Sequence, residues 1–160
     1  MQYKTGIGYD IHRLVTGRAL FLGAEKIPYN KGLLGHSDGD VLIHALCDAL
    51  LGALALGDIG EHFPDTDPKY KGLASSQLLK TVKALVDNNG YKINNLDLIV
   101  IAQAPALTPF KKKIKQKLCA LLNIQEDVLN IKAKTNEGLG DVGNNEAIVC
   151  YAIASLVREG

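Results

Sequence analysis

Two separate stretches of the chain carry the side chains best suited to binding a metal ion. Asp10 and His12 are two residues apart, so on an extended strand both side chains project from the same face. His44 lies in an apolar run that has the spacing of a helix. One carboxylate and two imidazoles are a typical zinc ligand set, and three protein ligands leave the fourth tetrahedral position open. The sequence therefore predicts a catalytic rather than a structural metal centre.

Carboxylates on both sides of His44 favour this interpretation. Asp40 and Asp48 each lie four residues from His44, one helical turn away, so each could orient the imidazole. Carboxylates on a leucine-rich helix cost stability unless a partner compensates their charge, and a bound cation would be such a partner. The alternative is that His44 is an ordinary hydrogen-bonded histidine, which is the commoner role of a single histidine on a helix.

Two further segments contain residue types that bind phosphate. Residues 35–39 precede the predicted helix, so their backbone N–H groups, the His36 ring and the Ser37 hydroxyl could together hold a phosphate. The alternative is that Ser37 only caps the helix. Thr135 and Glu137 lie where a predicted strand enters a glycine-rich turn, so the hydroxyl could bind phosphate and the carboxylate a hard cation such as Mg²⁺.

Composition restricts the classes of function. The chain has 160 residues, 18 basic and 17 acidic side chains and a net charge of +1, which is typical of one globular domain over residues 1–160. A neutral chain has no long-range attraction to nucleic acid or to an anionic membrane, so we expect neither as a partner. The amino terminus lacks the pattern of a targeting peptide, and the three cysteines have no paired spacing. These features favour a reducing cytoplasm.

Helices and strands must alternate along the chain to position these residues. The predicted strands cover residues 3–9, 19–27, 96–102 and 131–135. The predicted helices cover residues 41–57, 75–88 with Ser75 or Ser76 as the cap, and 108–122, and an irregular loop covers residues 58–72. Residues 147–157 are apolar on every face, which fits a central strand or a buried helix, and their β-branched side chains favour a strand. The predicted fold is an α/β (α+β) sandwich, one small mixed β-sheet with helices packed on one side.

The order of the motifs resembles that of the 2-C-methyl-D-erythritol 2,4-cyclodiphosphate synthase family. The motifs are Gly8-Tyr9-Asp10-Ile11-His12, His36-Ser37-Asp38-Gly39-Asp40 with His44, Asp58-Ile59-Gly60, Phe63-Pro64-Asp65-Thr66-Asp67-Pro68, Ala102-Gln103-Ala104-Pro105 and the segment from Lys132 to Glu137. The resemblance implies an enzyme of the non-mevalonate isoprenoid pathway. Such an enzyme would convert 4-diphosphocytidyl-2-C-methyl-D-erythritol 2-phosphate to the 2,4-cyclodiphosphate and release CMP.

The resemblance also implies a role for each motif. Asp10, His12 and His44 would bind Zn²⁺, Glu137 would bind Mg²⁺ or Mn²⁺ between the α- and β-phosphates, and His36 and Thr135 would stabilise the transition state. Residues 58–60 would bind the erythritol hydroxyls, residues 63–67 would form a loop over the substrate, and residues 102–108 with 134–135 would form the cytidine pocket. The implied substrate-binding residues are Asp10, His12, His36, Ser37, Asp58, Ile59, Gly60, Phe63, Pro64, Asp65, Thr66, Asp67, Ala102, Gln103, Ala104, Pro105, Ala106, Leu107, Thr108, Lys134, Thr135, Asn136 and Glu137.

The implied assembly is a homotrimer with its sites between subunits. The final strand would line the three-fold axis, and the cytidine pocket would come from the chain next to the zinc triad. Many bacterial members have a basic residue at the position of Gly138, an aromatic at Asp141 and an arginine at Asn144. Because those residues differ here, we do not expect an isoprenoid diphosphate on the axis.

Two other functions fit the same residues. A zinc phosphohydrolase would use the triad to activate water instead of cyclising its substrate. A trimeric binding or scaffold module would retain the fold without needing stoichiometric zinc. The product formed from the cytidyl substrate separates the first alternative from the synthase, and metal analysis tests the second.

Overall fold

A five-stranded mixed sheet forms the centre of the computed structural model, which describes residues 1–70 and 72–160. The strands in chain order are β1 (Gln2–Thr16), β2 (Leu20–Leu22), β3 (Glu25–Ile27), β4 (Lys31–Leu33), β5 (Lys92–Ile101), β6 (Leu129–Lys134) and β7 (Ala147–Arg158). The sheet has the order β4-β1-β7-β5-β6, and β2 and β3 form a separate two-stranded ribbon. Neighbouring strands of the sheet are antiparallel except β5 and β6, which are parallel.

The three longest helices of the described residues pack against the sheet. The helices are α1 (Val41–Leu54), α2 (Ile59–His62), α3 (Ser75–Asn88), α4 (Lys111–Leu122) and α5 (Gly140–Gly143), and 3₁₀ turns occur at Pro68–Tyr70, Thr108–Phe110 and Glu126–Val128. Helix α1 lies across β1 and β7, α3 packs beside α1, and α4 packs against α3 and β6. Over the described ranges, none of the helices is both long enough and apolar enough to span a membrane. The predicted mixed α/β architecture is confirmed.

Helix α1 is the buried helix of the core. All its residues are buried except His44, Asp48 and Gly52, which follow one another at intervals of four and so share one stripe. The helix begins at Asp40, whose carboxylate accepts a hydrogen bond from the backbone N–H of Ile43 at 3.2 Å. A buried helix with one polar stripe can present His44 to a site while its remaining faces hold the core together.

Two glycines bring β1 into contact with the backbone of α1. A Cβ atom at Gly6 would collide with the carbonyl oxygen of Ala49, and one at Gly8 would collide with the carbonyl oxygen of Ala45. Strand and helix can therefore approach this closely only because these positions have no side chain. Asp10 follows Gly8 by two residues on the same face of β1, so this close approach carries its carboxylate to the helix.

The opposite face of β1 and β7 is apolar and exposed. Tyr9 pairs with Tyr151 across the two strands, and Ile7 pairs with Ile153. The Tyr9 and Tyr151 rings lie 5.0 Å apart, and all four side chains are at least 41% exposed. A contiguous apolar area on a sheet face is typical of a surface that binds another protein chain.

Several predicted elements differ from the structure in their limits. Strand β1 reaches Thr16 rather than residue 9, because it pairs with β7 and then with β4. The predicted loop over residues 58–72 contains the helical turn α2, which Asp58 caps by accepting a hydrogen bond from Glu61 N–H at 3.0 Å. Ser75 is the first residue of α3 and not its side-chain cap. The prediction of a strand over residues 147–157 is confirmed by β7.

Candidate active site and metal centre

The three predicted metal ligands converge at one point. Asp10 and His12 project from β1 and His44 projects from the polar stripe of α1. The Oδ2 atom of Asp10 lies 2.9 Å from Nε2 of His12 and 3.1 Å from Nδ1 of His44, and the two nitrogens are 3.1 Å apart. Donors 2.0–2.2 Å from one tetrahedral ion would be roughly 3.3–3.6 Å apart, so a small outward movement would admit a metal ion. The predicted convergence is confirmed.

The partners of His12 select the nitrogen that faces this point. Its Nδ1 atom lies 2.6 Å from the carbonyl oxygen of Leu34, which can only accept a hydrogen bond. Nδ1 therefore carries a proton, and Nε2 is free to bind a metal. Burial lowers the pKa of the His12 ring, but the Asp10 carboxylate, the Leu34 carbonyl and the charge of Asp40 together raise it by a larger amount, so the net pKa is above the usual value.

The pKa of the Asp10 carboxyl is shifted in the opposite direction to that of His12. Burial alone would raise its pKa, but the combined interactions with the His12 and His44 imidazoles outweigh burial and hold the pKa of Asp10 below its usual value. The carboxylate is therefore ionised at neutral pH. An ionised oxygen beside two imidazole nitrogens is a donor set for a divalent metal of borderline softness.

The predicted orientation of His44 by Asp40 and Asp48 is wrong. Asp40 is fully buried, and its two oxygens accept hydrogen bonds from the N–H groups of Gly23 and Ala24. Asp48 accepts a hydrogen bond from Ile59 N–H at 2.8 Å. Helical spacing placed both carboxylates on one stripe with His44, but backbone donors from other parts of the chain bind them.

A cavity of about 260 Å³ opens beside the triad. It contains the side chains of His12 and His44 together with predicted substrate-binding residues from two distant segments, and apolar side chains close its outer wall. Its lining residues are His12, Gly35, His36, Ser37, His44, Ile59, Gly60, Phe63, Asp65, Tyr70, Leu73 and Leu78. A partly apolar cavity with convergent polar groups is the usual form of a small-molecule site.

The phosphate-binding candidates lie at the rim of this cavity. The His36 ring is exposed, with Nδ1 3.3 Å from Oδ2 of Asp65. The Ser37 hydroxyl accepts a hydrogen bond from Gly39 N–H at 3.3 Å. Asp40, rather than Ser37, is the residue whose side chain caps α1. Because Ser37 does not cap the helix, its hydroxyl can contact a ligand, as can the exposed His36 ring.

The remaining candidates of this loop stabilise its shape. Asp58 caps α2, and Asp67 N–H donates a hydrogen bond to the carbonyl oxygen of Pro64 at 3.0 Å. Thr66 lines an adjoining hollow together with His36 and Asp65. The loop over residues 63–67 therefore lies above the cavity with its turn fixed by its own hydrogen bonds.

The predicted cytidine pocket lies elsewhere in the chain. Residues 102–108 and 134–137 follow the parallel strands β5 and β6, and Ala102 N–H donates to the carbonyl oxygen of Lys134 at 2.9 Å. Gln103 Oε1 accepts a hydrogen bond from Gly138 N–H at 3.2 Å, and the Ala104–Pro105 peptide bond is cis. In the described chain, none of the residues 102–108 and 134–137 lines the cavity beside the triad.

Within residues 134–137, the side chains of Thr135 and Glu137 are hydrogen-bonded to each other. Thr135 Oγ1 donates a hydrogen bond to Oε1 of Glu137 at 2.8 Å, and Glu137 has a backbone φ of 52°. Both side chains are exposed, as are Lys134 and the loop that follows. A hydroxyl and a carboxylate held together on an exposed turn are accessible to a ligand.

Three contributors to the site carried no clear sequence signal. Arg18 Nη2 donates to the carbonyl oxygen of Ser37 at 2.7 Å and so fixes the 35–39 loop. Tyr70 packs edge-on against Phe63 with ring centroids 5.4 Å apart. Ser75 Oγ lies 3.0 Å from His44 Nε2. Of these three residues, only Ser75 lies at a position that the sequence pattern marks, the start of a predicted helix, and there the pattern predicts a cap.

The thiols are not available for covalent chemistry. Cys47 and Cys150 are fully buried, and burial raises the pKa of all three cysteine thiols, including that of Cys119. A protonated buried thiol is a poor nucleophile. The chemistry of the site therefore depends on its carboxylates, imidazoles and hydroxyls.

Comparisons with known proteins agree with this geometry. The 2-C-methyl-D-erythritol 2,4-cyclodiphosphate synthase of Alkaliphilus oremlandii is 54% identical over 155 residues, which cover 97% of this chain and 99% of that protein. The solved structure of a 2C-methyl-D-erythritol-2,4-cyclodiphosphate synthase in its CDP-bound form has a TM-score of 0.90 and 39% identity, over 96% of this chain and 100% of that one.

A longer protein contains the same fold. The bifunctional IspDF of Campylobacter jejuni has a TM-score of 0.93 and 41% identity over 97% of this chain, which spans 42% of that protein. The model of the YgbB family matches residues 3–157. With nearly the whole length matched and more than half of the residues identical to a curated synthase, the chain belongs to the YgbB family.

Proposed function

We propose that this chain is a 2-C-methyl-D-erythritol 2,4-cyclodiphosphate synthase, a phosphorus–oxygen lyase of the non-mevalonate isoprenoid pathway. One observation carries the proposal: Asp10, His12 and His44 meet beside a cavity that the phosphate-binding candidates also line. Membership of the YgbB family and the similarity to a CDP-bound synthase support the choice of a cytidyl substrate.

The proposed reaction is an intramolecular transfer of the β-phosphate. An oxygen of the 2-phosphate forms a bond to the β-phosphorus, the bond from that phosphorus to the α-phosphate oxygen breaks, and CMP leaves with the bonding electrons. No water is consumed. Because nucleophile and electrophile belong to one molecule, holding it bent inside the cavity removes much of the entropic barrier. The main remaining task of the protein is to neutralise charge between the two phosphates.

Asp10, His12 and His44 would hold Zn²⁺ and Glu137 would hold Mg²⁺ or Mn²⁺. Bound cations would withdraw charge from the phosphate oxygens and so make the β-phosphorus easier to attack. The triad fits zinc because it offers one ionised oxygen and two imidazole nitrogens on one side and leaves the side toward the cavity open. Glu137 fits a hard cation because it is an exposed carboxylate.

The polar side chains would bind and orient the phosphates. His36 and Ser37 lie at the rim of the cavity and can donate hydrogen bonds to the 2-phosphate or β-phosphate. The Thr135 hydroxyl, now bonded to Glu137, can turn to a phosphate oxygen once that carboxylate binds a cation. We assign His36 and Thr135 to stabilisation of the transition state, since each can donate to oxygens that gain charge.

The loop over residues 58–67 would bind the erythritol part of the substrate. Ile59, Gly60 and Phe63 line the cavity and offer apolar surface to a branched four-carbon chain. The Asp58 carboxylate caps α2 next to these residues, and we assign it to accepting hydrogen bonds from the erythritol hydroxyls. The apolar lining of this part of the cavity would limit the access of water, which would favour cyclisation over hydrolysis.

We propose that the cytidine pocket of each site comes from a second copy in a homotrimer. Residues 102–108 and 134–137 form a compact pair of loops at the ends of β5 and β6, outside the described cavity of their own chain. The apolar outer face of β1 and β7 supplies a surface through which copies could pack. Assembly about that face would bury it and place the final strand on the three-fold axis. The synthase of Alkaliphilus oremlandii is a bacterial protein, and we propose a bacterial cytoplasm as the place of action.

Turnover of the cytidyl substrate tests the proposal. Purified protein with Zn²⁺ and Mg²⁺ should yield the cyclic diphosphate and CMP in equal amounts, and neither product should take up ¹⁸O from labelled water. The two variants to compare are Lys112→Ala, a truncation at an exposed position of α4 that serves as the control, and His44→Ala. Loss of product in the second variant alone is expected. Hydrolysis with ¹⁸O uptake would indicate a phosphohydrolase, and full activity without bound metal would refute the assigned triad.

A further inference from the structure

A buried serine and an aspartate form a hydrogen-bonded chain behind the metal-facing side of His44. Ser75 is fully buried, and its Oγ atom lies 3.0 Å from Nε2 of His44. The same hydroxyl donates a short hydrogen bond to Oδ1 of Asp38. We propose that Asp38 and Ser75 are positioning residues that fix the tautomer and the ring orientation of His44, so that its Nδ1 atom is the one offered to the metal.

The direction of both hydrogen bonds, from His44 to Ser75 and from Ser75 to Asp38, follows from the Asp38 carboxylate. An ionised carboxylate can only accept, so the Ser75 hydroxyl must donate to Asp38. The lone pairs of Ser75 Oγ are then left to accept from His44, which places a proton on Nε2. Nδ1 consequently has no proton and can bind a metal at the point where it lies 3.1 Å from both Asp10 Oδ2 and His12 Nε2.

Competing partners of the serine are weaker. Ser37 Oγ also lies within reach of Ser75 Oγ, at 3.3 Å. A hydroxyl bonds more strongly to a carboxylate than to another hydroxyl, and the carboxylate of Asp38 also accepts from the backbone N–H of Ser75. The Asp38 bond therefore determines where the Ser75 proton lies.

Asp38 also holds Ser75 in place through the backbone. Its Oδ2 atom accepts a hydrogen bond from Ser75 N–H at 3.2 Å, and its Oδ1 atom accepts one from Asp40 N–H at 3.3 Å. Ala74 provides no side-chain cap for α3, so Asp38 takes over that role from another segment. One carboxylate thus ties the start of α3 to the start of α1, the helix that carries His44.

The two histidine ligands are oriented by different means. The carbonyl oxygen of Leu34 fixes the tautomer of His12, and a backbone group cannot be removed by substitution. Within the described residues the groups bonded to the His44 ring are side chains, so its orientation can be changed without altering a ligand. The inference rests on the metal site of the proposed function, but not on the substrate or on cyclisation.

Zinc affinity and the His44 tautomer test the inference on the full chain. Ser75→Ala keeps the backbone bond from residue 75 to Asp38, so α3 keeps its cap. Competition with a chromogenic chelator should show zinc affinity reduced by about 10- to 100-fold. Asp38→Asn should reduce the zinc affinity at least as much, because an amide N–H that points at Ser75 would reverse the direction of the two hydrogen bonds. Ser76→Ala, the same change one residue later in α3, is the matched control and should retain wild-type affinity.

Nitrogen-15 NMR of the metal-free protein gives a readout that does not depend on zinc. The His44 ring of the wild type should carry its proton on Nε2, and Ser75→Ala and Asp38→Asn should show a larger share of protonated Nδ1. Zinc affinity within threefold of wild type together with an unchanged tautomer in both variants would overturn the inference and leave the proposed function intact. A wild type that binds no zinc would refute the proposed metal site, while the tautomer measurement would still decide the role of Asp38 and Ser75.

Discussion

The absence of a side chain at Gly8 sets the spacing between β1 and α1, and Gly8→Ala is the sharpest test of how the fold forms the site. The new Cβ would collide with the carbonyl oxygen of Ala45 and lie 2.8 Å from the backbone nitrogen of Ala49. Ordinary carbon contacts begin near 3.5 Å, and both obstacles are backbone atoms of a buried helix. The clash can be relieved only by moving the strand away from the helix.

Overpacking costs about 1–3 kcal/mol, and a collision with backbone atoms that cannot rotate away lies in the upper part of that range, about 2–3 kcal/mol. Alanine would regain about 0.5–1 kcal/mol through lower backbone entropy in the unfolded chain, which is less than the cost. For a chain of this size, each kcal/mol shifts Tm by about 2–4 °C. We therefore expect Gly8→Ala to lower Tm by roughly 2–10 °C at a fixed protein concentration, measured by circular dichroism.

Gly52→Ala is the matched control, because it makes the same chemical change on α1. The nearest atom to its new Cβ is the carbonyl oxygen of Ile7 at 3.9 Å, an ordinary contact. Alanine favours a helix interior by about 0.8–1 kcal/mol, so this variant should raise Tm by roughly 2–4 °C. A Gly8→Ala protein as stable as wild type would refute the packing argument.

The same variant should weaken metal binding. Asp10 lies two residues after Gly8, and His44 directly precedes Ala45, so a strand displaced from the helix also separates the ligands. Zinc affinity measured by chelator competition should fall in Gly8→Ala and remain unchanged in Gly52→Ala. Lower stability with wild-type affinity would show that the triad tolerates the displacement, contrary to this expectation.

Three further predictions concern other parts of the molecule. Thr135→Val should lower turnover of the cytidyl substrate while zinc content by atomic absorption stays at wild-type level, and equal turnover would exclude a role for the hydroxyl. Light scattering should give about three times the 17.2 kDa chain mass, and Tyr9→Asp, which places a charge on the apolar face, should lower that mass; a monomeric wild type would contradict the trimer. Burial would raise the pKa of Asp97, but Lys132 Nζ at 2.5 Å and the Asn130 amide at 3.0 Å together outweigh burial and lower the pKa. Asp97→Asn should therefore cost about 0.2–1 kcal/mol at pH 7. Because the carboxyl has the lower pKa in the folded state, this advantage exists above about pH 3.9 and is lost as the pH falls below it, and urea titrations of both proteins should converge there.

The sequence alone determined the ligand set and most of the elements that carry it. Asp10 and His12 alternate on a strand and His44 lies on a helix, and both periodicities are local properties that residue spacing reveals. The choice of strand for residues 147–157 also followed from β-branched side chains, although their apolar character on every face left a helix possible. The meeting of strand and helix was only a hypothesis, because spacing along a chain contains no distance across it.

Only the tertiary structure decided which groups orient His44. Helical spacing favoured Asp40 and Asp48, yet Gly23, Ala24 and Ile59 supply the backbone donors that these carboxylates bind. Asp38 and Ser75 are 37 residues apart and meet only because α3 packs beside α1. A hydrogen bond depends on atoms within about 3 Å of each other, and in a folded chain that proximity is set by packing between distant segments rather than by their order.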